Sequence, residues 1–232
     1  MSGPAGEVPA AQPVAGLEAA GVPTVRPVPP ATVGRLPGYL RALTELSVLG
    51  VRTTSSERLA ALAGVGSAQL RRDLSWLGSH GVRGVGYDVR RLRGRVADAL
   101  GVESDLAVVI VGIGRLGHAL ADYLRAEGGG FRVAALVDTD PGVVGSAVAG
   151  LAVEDDKDLE DVVRREGAVL AVLATPVQAA QRVCDRLVSA GVRGILAFTP
   201  ARLAVPDGVT VRAADVAAEL QILAFHTRGT PA

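Results

Sequence analysis

The chain has little of what usually stabilises a small secreted domain. Cys184 is the one cysteine in 232 residues, so the chain cannot form an internal disulfide or a multi-cysteine metal site. Aromatic residues are scarce as well: one Trp, three Tyr and three Phe leave packing to Leu, Val and Ala within an apolar content of 49%. No apolar run reaches the roughly 18 residues of a membrane span. The N-terminus has no basic residue before Arg26 and no apolar core segment, which excludes a signal peptide. These absences predict a cytoplasmic protein with no membrane partner and no metal.

Lysine occurs once, at Lys157, and every other basic side chain is Arg. Formal net charge is zero, with 24 basic against 24 acidic residues, but the charge is divided along the chain. Residues 64–95 carry seven Arg against Asp73 and Asp88, a net of +5, whereas residues 96–232 carry 12 basic against 18 acidic side chains, a net of −6. A basic module joined to an acidic one suggests that the first part meets nucleic acid.

The organising stretch is Val108 to Gly117, VVIVGIGRLG. An apolar β-branched run flows into Gly112-Ile113-Gly114-Arg115-Leu116-Gly117, the pattern of a buried strand, a tight turn and a helix start. One glycine allows the turn, one lets backbone approach a pyrophosphate, and one lets the helix pack on the strand. A second buried strand, Phe131 to Val137, ends at Asp138, 21 residues after Gly117. A carboxylate there accepts hydrogen bonds from an adenosine ribose. Asp138 repels a 2′-phosphate, and no Lys or Arg lies between it and Lys157, so NAD(H) is favoured over NADP(H). The alternative is a Rossmann-type domain for another nucleotide, such as coenzyme A, or for none.

Before that stretch, residues 1–31 hold seven of the 13 prolines and read as a disordered Pro/Ala-rich leader. Leu36, Leu40, Leu43 and Leu46 then recur at helical spacing. Thr54-Ser-Ser-Glu57 has capping-box spacing, Gly64-Val-Gly66 supplies a break, and Ser67 is the expected N-cap of a third helix running to Leu77. Helix, short helix, glycine turn, helix is a helix-turn-helix, here about Tyr39 to Gly78. On the third helix Leu70, Leu74 and Leu77 face inward. Ala68, Arg72 and Ser75 face outward, flanked by Arg71 and Trp76, a face suited to the major groove. The plainer alternative is a solvated helix with two surface arginines. Gly78 to Tyr87 reads as a wing with Arg83 and Gly84 at its tip, placed to enter an A·T-rich minor groove. Arg90, Arg91, Arg93 and Arg95 follow; they either meet phosphates or coat a charged connecting helix.

After the second strand come an acidic stretch around Glu154–Asp161, a helix to Arg165 and a strand Val169 to Leu173. Alternation of this kind predicts a parallel sheet. Thr175 and Pro176, at the carboxyl edge of that strand, border the expected cofactor. Val177 to Ala190 is helical, with Cys184 a small packed residue. Gly194 to Phe198 and Val209 to Val211 are further strands. The last helix, Ala214 to Thr227, is apolar on several sides, which calls for burial on several sides. Insertion between two subunits provides that; closing its own sheet is the alternative. A dehydrogenase needs an acid/base at the nicotinamide and a substrate domain. His80, His118 and His226 do not obviously serve, and no catalytic domain follows the strands, so the chain is not expected to be an enzyme.

Leu70-Arg-Arg-Asp-Leu-Ser75, Gly81-Val-Arg-Gly-Val-Gly-Tyr87 and the glycine fingerprint, in this order, resemble the Rex family of bacterial redox-sensing transcriptional repressors, from about Val33 to Arg228. Trp76 stands where that family has Tyr or Phe, Arg72 where Lys is frequent, and His80 and Val82 where Tyr and Thr are usual. The resemblance implies a winged-helix DNA-binding domain (residues 32–98), a Rossmann NAD(H)-binding domain (99–212) and a C-terminal helix exchanged between protomers (213–228). It also implies a homodimer that binds palindromic operator DNA with NAD+ and releases it on binding NADH. Tyr123 and Asp215 match family positions near the nicotinamide, and Arg41 matches an interdomain ion-pair partner. With NADH, Asp215 hydrogen-bonds Tyr123; in the DNA-competent form it pairs with Arg41.

Overall fold

A computed structural model describes residues 28–78, 81–82, 84–102, 105–127 and 129–228. Most of the leader, together with His80 and Arg83, lies outside the described residues.

The N-terminal unit runs α1 (Pro30–Val48), β1 (Thr53–Thr54), α2 (Ser56–Leu62), α3 (Ser67–Trp76), β2 (Tyr87–Asp88) and α4 (Val89–Leu100). Helix α1 starts two residues before the expected domain boundary at residue 32, because Pro30 occupies the first helical position, where its missing N–H is no loss. Leu36, Leu43 and Leu46 are fully buried, and each contributes roughly 1.5–3 kcal/mol. The cap of α2 is one residue later than the capping-box spacing indicates: Ser55 accepts the N–H of Arg58, while Thr54 is buried in the β1–β2 pair. Gly66, not Ser67, is the N-cap residue of α3. Val82 and Gly86 pair across the wing, and Gly86 (φ +92°) lies so close to the Thr54 carbonyl that a side chain would collide with it. Helix α4 is not a mere connector: Val89, Leu92 and Val96 enter the same core as α1, leaving Arg90, Arg91 and Arg93 exposed.

One polar group sits inside this unit. Asp73 of α3 is 1% exposed and accepts five hydrogen bonds. The donors are Thr32 Oγ1 (2.9 Å), Arg35 Nε and Nη2 (2.7 and 2.8 Å), Tyr39 Oη (2.7 Å) and Gln69 Nε2 (2.9 Å). Burial by itself would raise the carboxyl pKa, but these donors outweigh it and hold it well below the usual carboxylate range. Burial and the neighbouring carboxylate push the Tyr39 hydroxyl up to about 12. Because the folded-state value of Asp73 is depressed, its contribution to stability is complete above about pH 4 and is lost as pH falls towards the folded value. Thermal melts from pH 7 to pH 3 should therefore show an acid-sensitive N-terminal unit. Asp73→Asn should flatten that dependence and lower the melting temperature at pH 7, because an amide cannot accept all five of these hydrogen bonds.

The second unit follows the expected alternation: β3 (Leu106–Val111), α5 (Arg115–Glu127), β4 (Phe131–Asp138), β5 (Ala147–Val148), β6 (Leu151–Asp155), α6 (Leu159–Glu166), β7 (Leu170–Leu173), α7 (Val177–Ala190), β8 (Gly194–Ala197), β9 (Thr210–Ala213) and α8 (Val216–Thr227). The sheet order is β5-β6-β4-β3-β7-β8-β9, with β5 antiparallel at the edge and the other pairings parallel. Spacing marks neither β5, of two residues, nor β6, which runs into the acidic turn at Asp156. Helices α6 and α7 cover one face through Val162, Val163, Val183, Cys184 and Leu187. Helix α5 covers only the β3–β4 half of the other through Leu120, Ala121 and Leu124. Over β7, β8 and β9 that face carries an apolar hollow of about 420 Å³ lined by Leu170, Val172 and Leu196.

Candidate functional site

The chain crosses from β4 on one side of β3 to β7 on the other, and the glycine turn lies at this switch point, where open α/β sheets bind ligands. Gly112 has φ +92°, and a Cβ there would lie 2.6 Å from the Ala174 carbonyl oxygen. A Cβ on Gly117 would run into the Gly112 carbonyl, so this glycine lets α5 lie against the turn. Gly114 differs: a Cβ on it would meet nothing within 4 Å. The middle glycine thus opens on clear space at the start of α5, where first-turn N–H groups lack helical acceptors.

Asp138, at the tip of β4, holds this turn. Its Oδ2 accepts the N–H of Ile113 and its Oδ1 that of Asp140, at 2.5 and 2.8 Å. Each oxygen keeps a further lone pair for a ribose hydroxyl. Asp138 also lines a cleft of about 160 Å³ with Gly112, Thr139, Asp156, Thr175 and Pro176. The Thr175 hydroxyl is buried there with no hydrogen-bond partner among the described residues, as is Asp156 Oδ1. The donors, the clear approach and the unpartnered oxygens fit an adenine dinucleotide. Arg115 and Leu116 open α5 with exposed side chains.

The proposed DNA face is assembled in the N-terminal unit. Leu70 and Leu74 are buried, whereas Ala68, Arg71, Arg72 and Ser75 are exposed on α3. Arg71 is partly engaged, donating to Ser56 Oγ at 2.9 Å and Glu57 Oε1 at 3.2 Å. The Ser75 hydroxyl donates to the Arg72 carbonyl. Ser67 is the first residue of α3 and is half-buried. Gly84 (φ +80°) makes the wing tip, flanked by exposed Val82 and Val85.

Between the two units lies a cleft of about 860 Å³, with Leu40, Arg41 and Thr44 of α1 on one side and Tyr123 and Leu124 of α5 on the other. Arg41 and Tyr123 therefore face the same cleft from its two sides. Asp215 is not brought to them within the chain: it caps α8, accepting the N–H of Ala218 at 3.0 Å, and has no hydrogen bond or ion pair with either among the described residues. Helix α8 buries none of its residues, and Phe225 is 76% exposed. The alternative that it closes its own sheet is thereby overturned.

Residues 27–75 match a family model described as a putative DNA-binding protein N-terminus, and residues 103–201 match one described as a CoA binding domain. The chain is 58% identical over 201 residues to the redox-sensing transcriptional repressor Rex of Streptomyces coelicolor, covering 87% of this chain and 78% of that protein. It belongs to the Rex family. The Rex of Roseiflexus sp. is 41% identical over 198 residues, 85% of this chain and 90% of that one. Among solved structures, the Rex-family repressor RSP in complex with β-NAD+ and operator DNA is similar with a TM-score of 0.80 and 33% identity, covering 87% of this chain and 93% of that one. RSP in complex with β-NADH is similar with a TM-score of 0.76 and 32% identity, covering 87% and 95%. The CoA model spans only the Rossmann half of the chain, whereas the similarity to Rex repressors spans both halves.

Two features carry no signature in sequence spacing. In sequence Asp73 is one charge among many, although Thr32, Arg35 and Tyr39 fall on one face of α1 among buried leucines, a signal that an acceptor meets them. Asp156 and Arg182 border the same cleft as Asp138 and Thr175 but come from a turn and a helix far apart in sequence, and no spacing marks them.

Proposed function

We propose that this chain is an NADH/NAD+-responsive transcriptional repressor of the cytoplasm, acting as a homodimer on palindromic double-stranded operator DNA and released when NADH binds. The observation that carries this reading is the placing of α5. Its N-terminus abuts the glycine turn, while its later residue Tyr123 walls the cleft that Arg41 of the DNA-binding unit also lines. A ligand held at one end of α5 is thus one helix away from the hinge between units.

The fingerprint residues Gly112 to Gly117 hold the pyrophosphate, Asp138 the adenosine ribose, and Thr175 and Pro176 border the cofactor. These groups treat NAD+ and NADH alike; discrimination falls to Tyr123 and Asp215. Since α8 buries nothing in its own chain, and the hollow over β7–β9 is apolar while the interdomain cleft mixes apolar and charged walls, the helix docks on a second copy. There it delivers Asp215 to the partner's cleft, to hydrogen-bond Tyr123 with NADH or to pair with Arg41 in the DNA-competent form. Ser67, Arg71, Arg72 and Ser75 enter the major groove, and Arg83 and Gly84 of the wing meet the minor groove. No helix among the described residues is long and apolar enough to cross a membrane.

Coupling of about 1–3 kcal/mol per site gives a 5- to 150-fold change in DNA affinity, with DNA weakening NADH binding by the same factor. The test is fluorescence anisotropy on a palindromic duplex selected by the full chain from a random library. Saturating NADH should release the duplex, NAD+ should compete with NADH without releasing it, and coenzyme A should do neither. DNA that stays bound at saturating NADH overturns the reading, and release by coenzyme A replaces it with the other nucleotide. Arg72→Ala should weaken duplex binding by about 1–3 kcal/mol, the worth of one good base contact, and leave NADH affinity unchanged.

A further inference from the structure

We propose that Asp73 is a positioning residue for operator recognition: it sets the rotation and register of α3 against α1, and thereby the sequence selectivity of the DNA-facing side chains. The inference rests on the reading of α3 as the recognition helix. Three consecutive turns of α1 send Thr32, Arg35 and Tyr39 to this one carboxylate, and Gln69 reaches it from within α3. The carboxylate lies next in sequence to Arg72 and two residues before Ser75, so fixing its azimuth fixes theirs on a helix that turns by about 100° per residue.

Apolar packing alone would not do this. Only Leu70 and Leu74 of α3 are fully buried, and apolar attraction has no direction, so a small roll or slide of the helix costs little. Hydrogen bonds are directional, and five of them on one buried carboxylate leave a single orientation. Reading a base edge requires side chains held within about 0.5 Å and 10–20°. Phosphate contacts are far more forgiving, because they depend on charge and distance. The clamp should therefore matter for selectivity and hardly at all for non-specific binding. The helix that supplies it, α1, also borders the interdomain cleft through Leu40, Arg41 and Thr44.

The test uses the full chain with Thr32→Val and Tyr39→Phe, singly and together; each removes one donor and leaves Arg35 paired. Affinity is measured on the palindromic duplex selected by the wild type and on a scrambled duplex, over a range of salt. Each single variant should lower the ratio of selected to scrambled affinity about threefold, and the pair about tenfold or more, with scrambled affinity, its salt slope and NADH affinity unchanged. Mere destabilisation would lower both DNA affinities by the same factor and leave the ratio intact. An unchanged ratio in the double variant, or a parallel fall on both duplexes, overturns the inference. Failure of the wild type to select any consensus overturns the recognition-helix reading instead.

Discussion

A chain ending after Ala213 should be a monomer that binds the selected duplex about a hundredfold more weakly than the full chain. Helix α8 buries nothing within its own chain, and its large side chains Val216, Leu220, Ile222, Leu223 and Phe225 are all more than half exposed. Its removal should cost the remaining fold nothing from inside. It does remove the occupant proposed for the partner's cleft and for the hollow over β7–β9. Two linked recognition helices gain about 10²–10⁴ in avidity over one, and a monomer forfeits this. Leu220→Asp should act in the same direction without shortening the chain, because a carboxylate cannot be buried there unpaired. Light scattering and anisotropy read both quantities. A truncated chain that stays dimeric removes the helix-exchange model.

The second large effect separates two glycines three residues apart. Gly117→Ala should damage the fold and lose NADH binding together, because its Cβ would drive into the backbone carbonyl of Gly112, and backbone yields far less readily than a side chain. The cost is of the order of 1–3 kcal/mol or more, as for other overpacking changes. Gly114→Ala should leave the melting temperature unaltered, since no atom lies within 4 Å of its Cβ. It should nevertheless lose about tenfold or more in NADH affinity, roughly 1.4 kcal/mol, because the methyl stands where a pyrophosphate would approach. Thermal melts paired with NADH titration distinguish the two. Unaltered NADH affinity in Gly114→Ala would mean that the phosphates lie elsewhere.

Where a single physical requirement governs several neighbouring residues, the sequence is readable. A strand that must be buried on both faces, a turn that must be glycine and an acid at the next strand's tip fall within about one βαβ unit, and the structure joins them as spacing suggests. The leucine periods of α1 and α3 are of the same kind. What escaped depends on partners distant in the chain. Asp73 looks like any helix-surface acid until α1 is laid across it. Asp138 reads as a ribose ligand, but its tie to Ile113 is visible only once β3 and β4 are paired. The caps at Ser55 and Gly66 shift by one residue because Thr54 is taken into the β1–β2 pair and Gly66 already has the extended backbone a cap requires. The edge strand β5 and its neighbour β6 are too short to carry a period.

The double duty of Asp138 restricts how this protein can change its ligand. A basic residue at this position is the obvious route to accepting a 2′-phosphate, yet the same carboxylate anchors the N–H of Ile113 and so shapes the turn proposed to seat the pyrophosphate. Exchanging it would welcome one phosphate while loosening the seat of two others. Descent from an NADH sensor to an NADPH sensor is thus closed to any one-step path and requires a compensating acceptor for Ile113 to arise first.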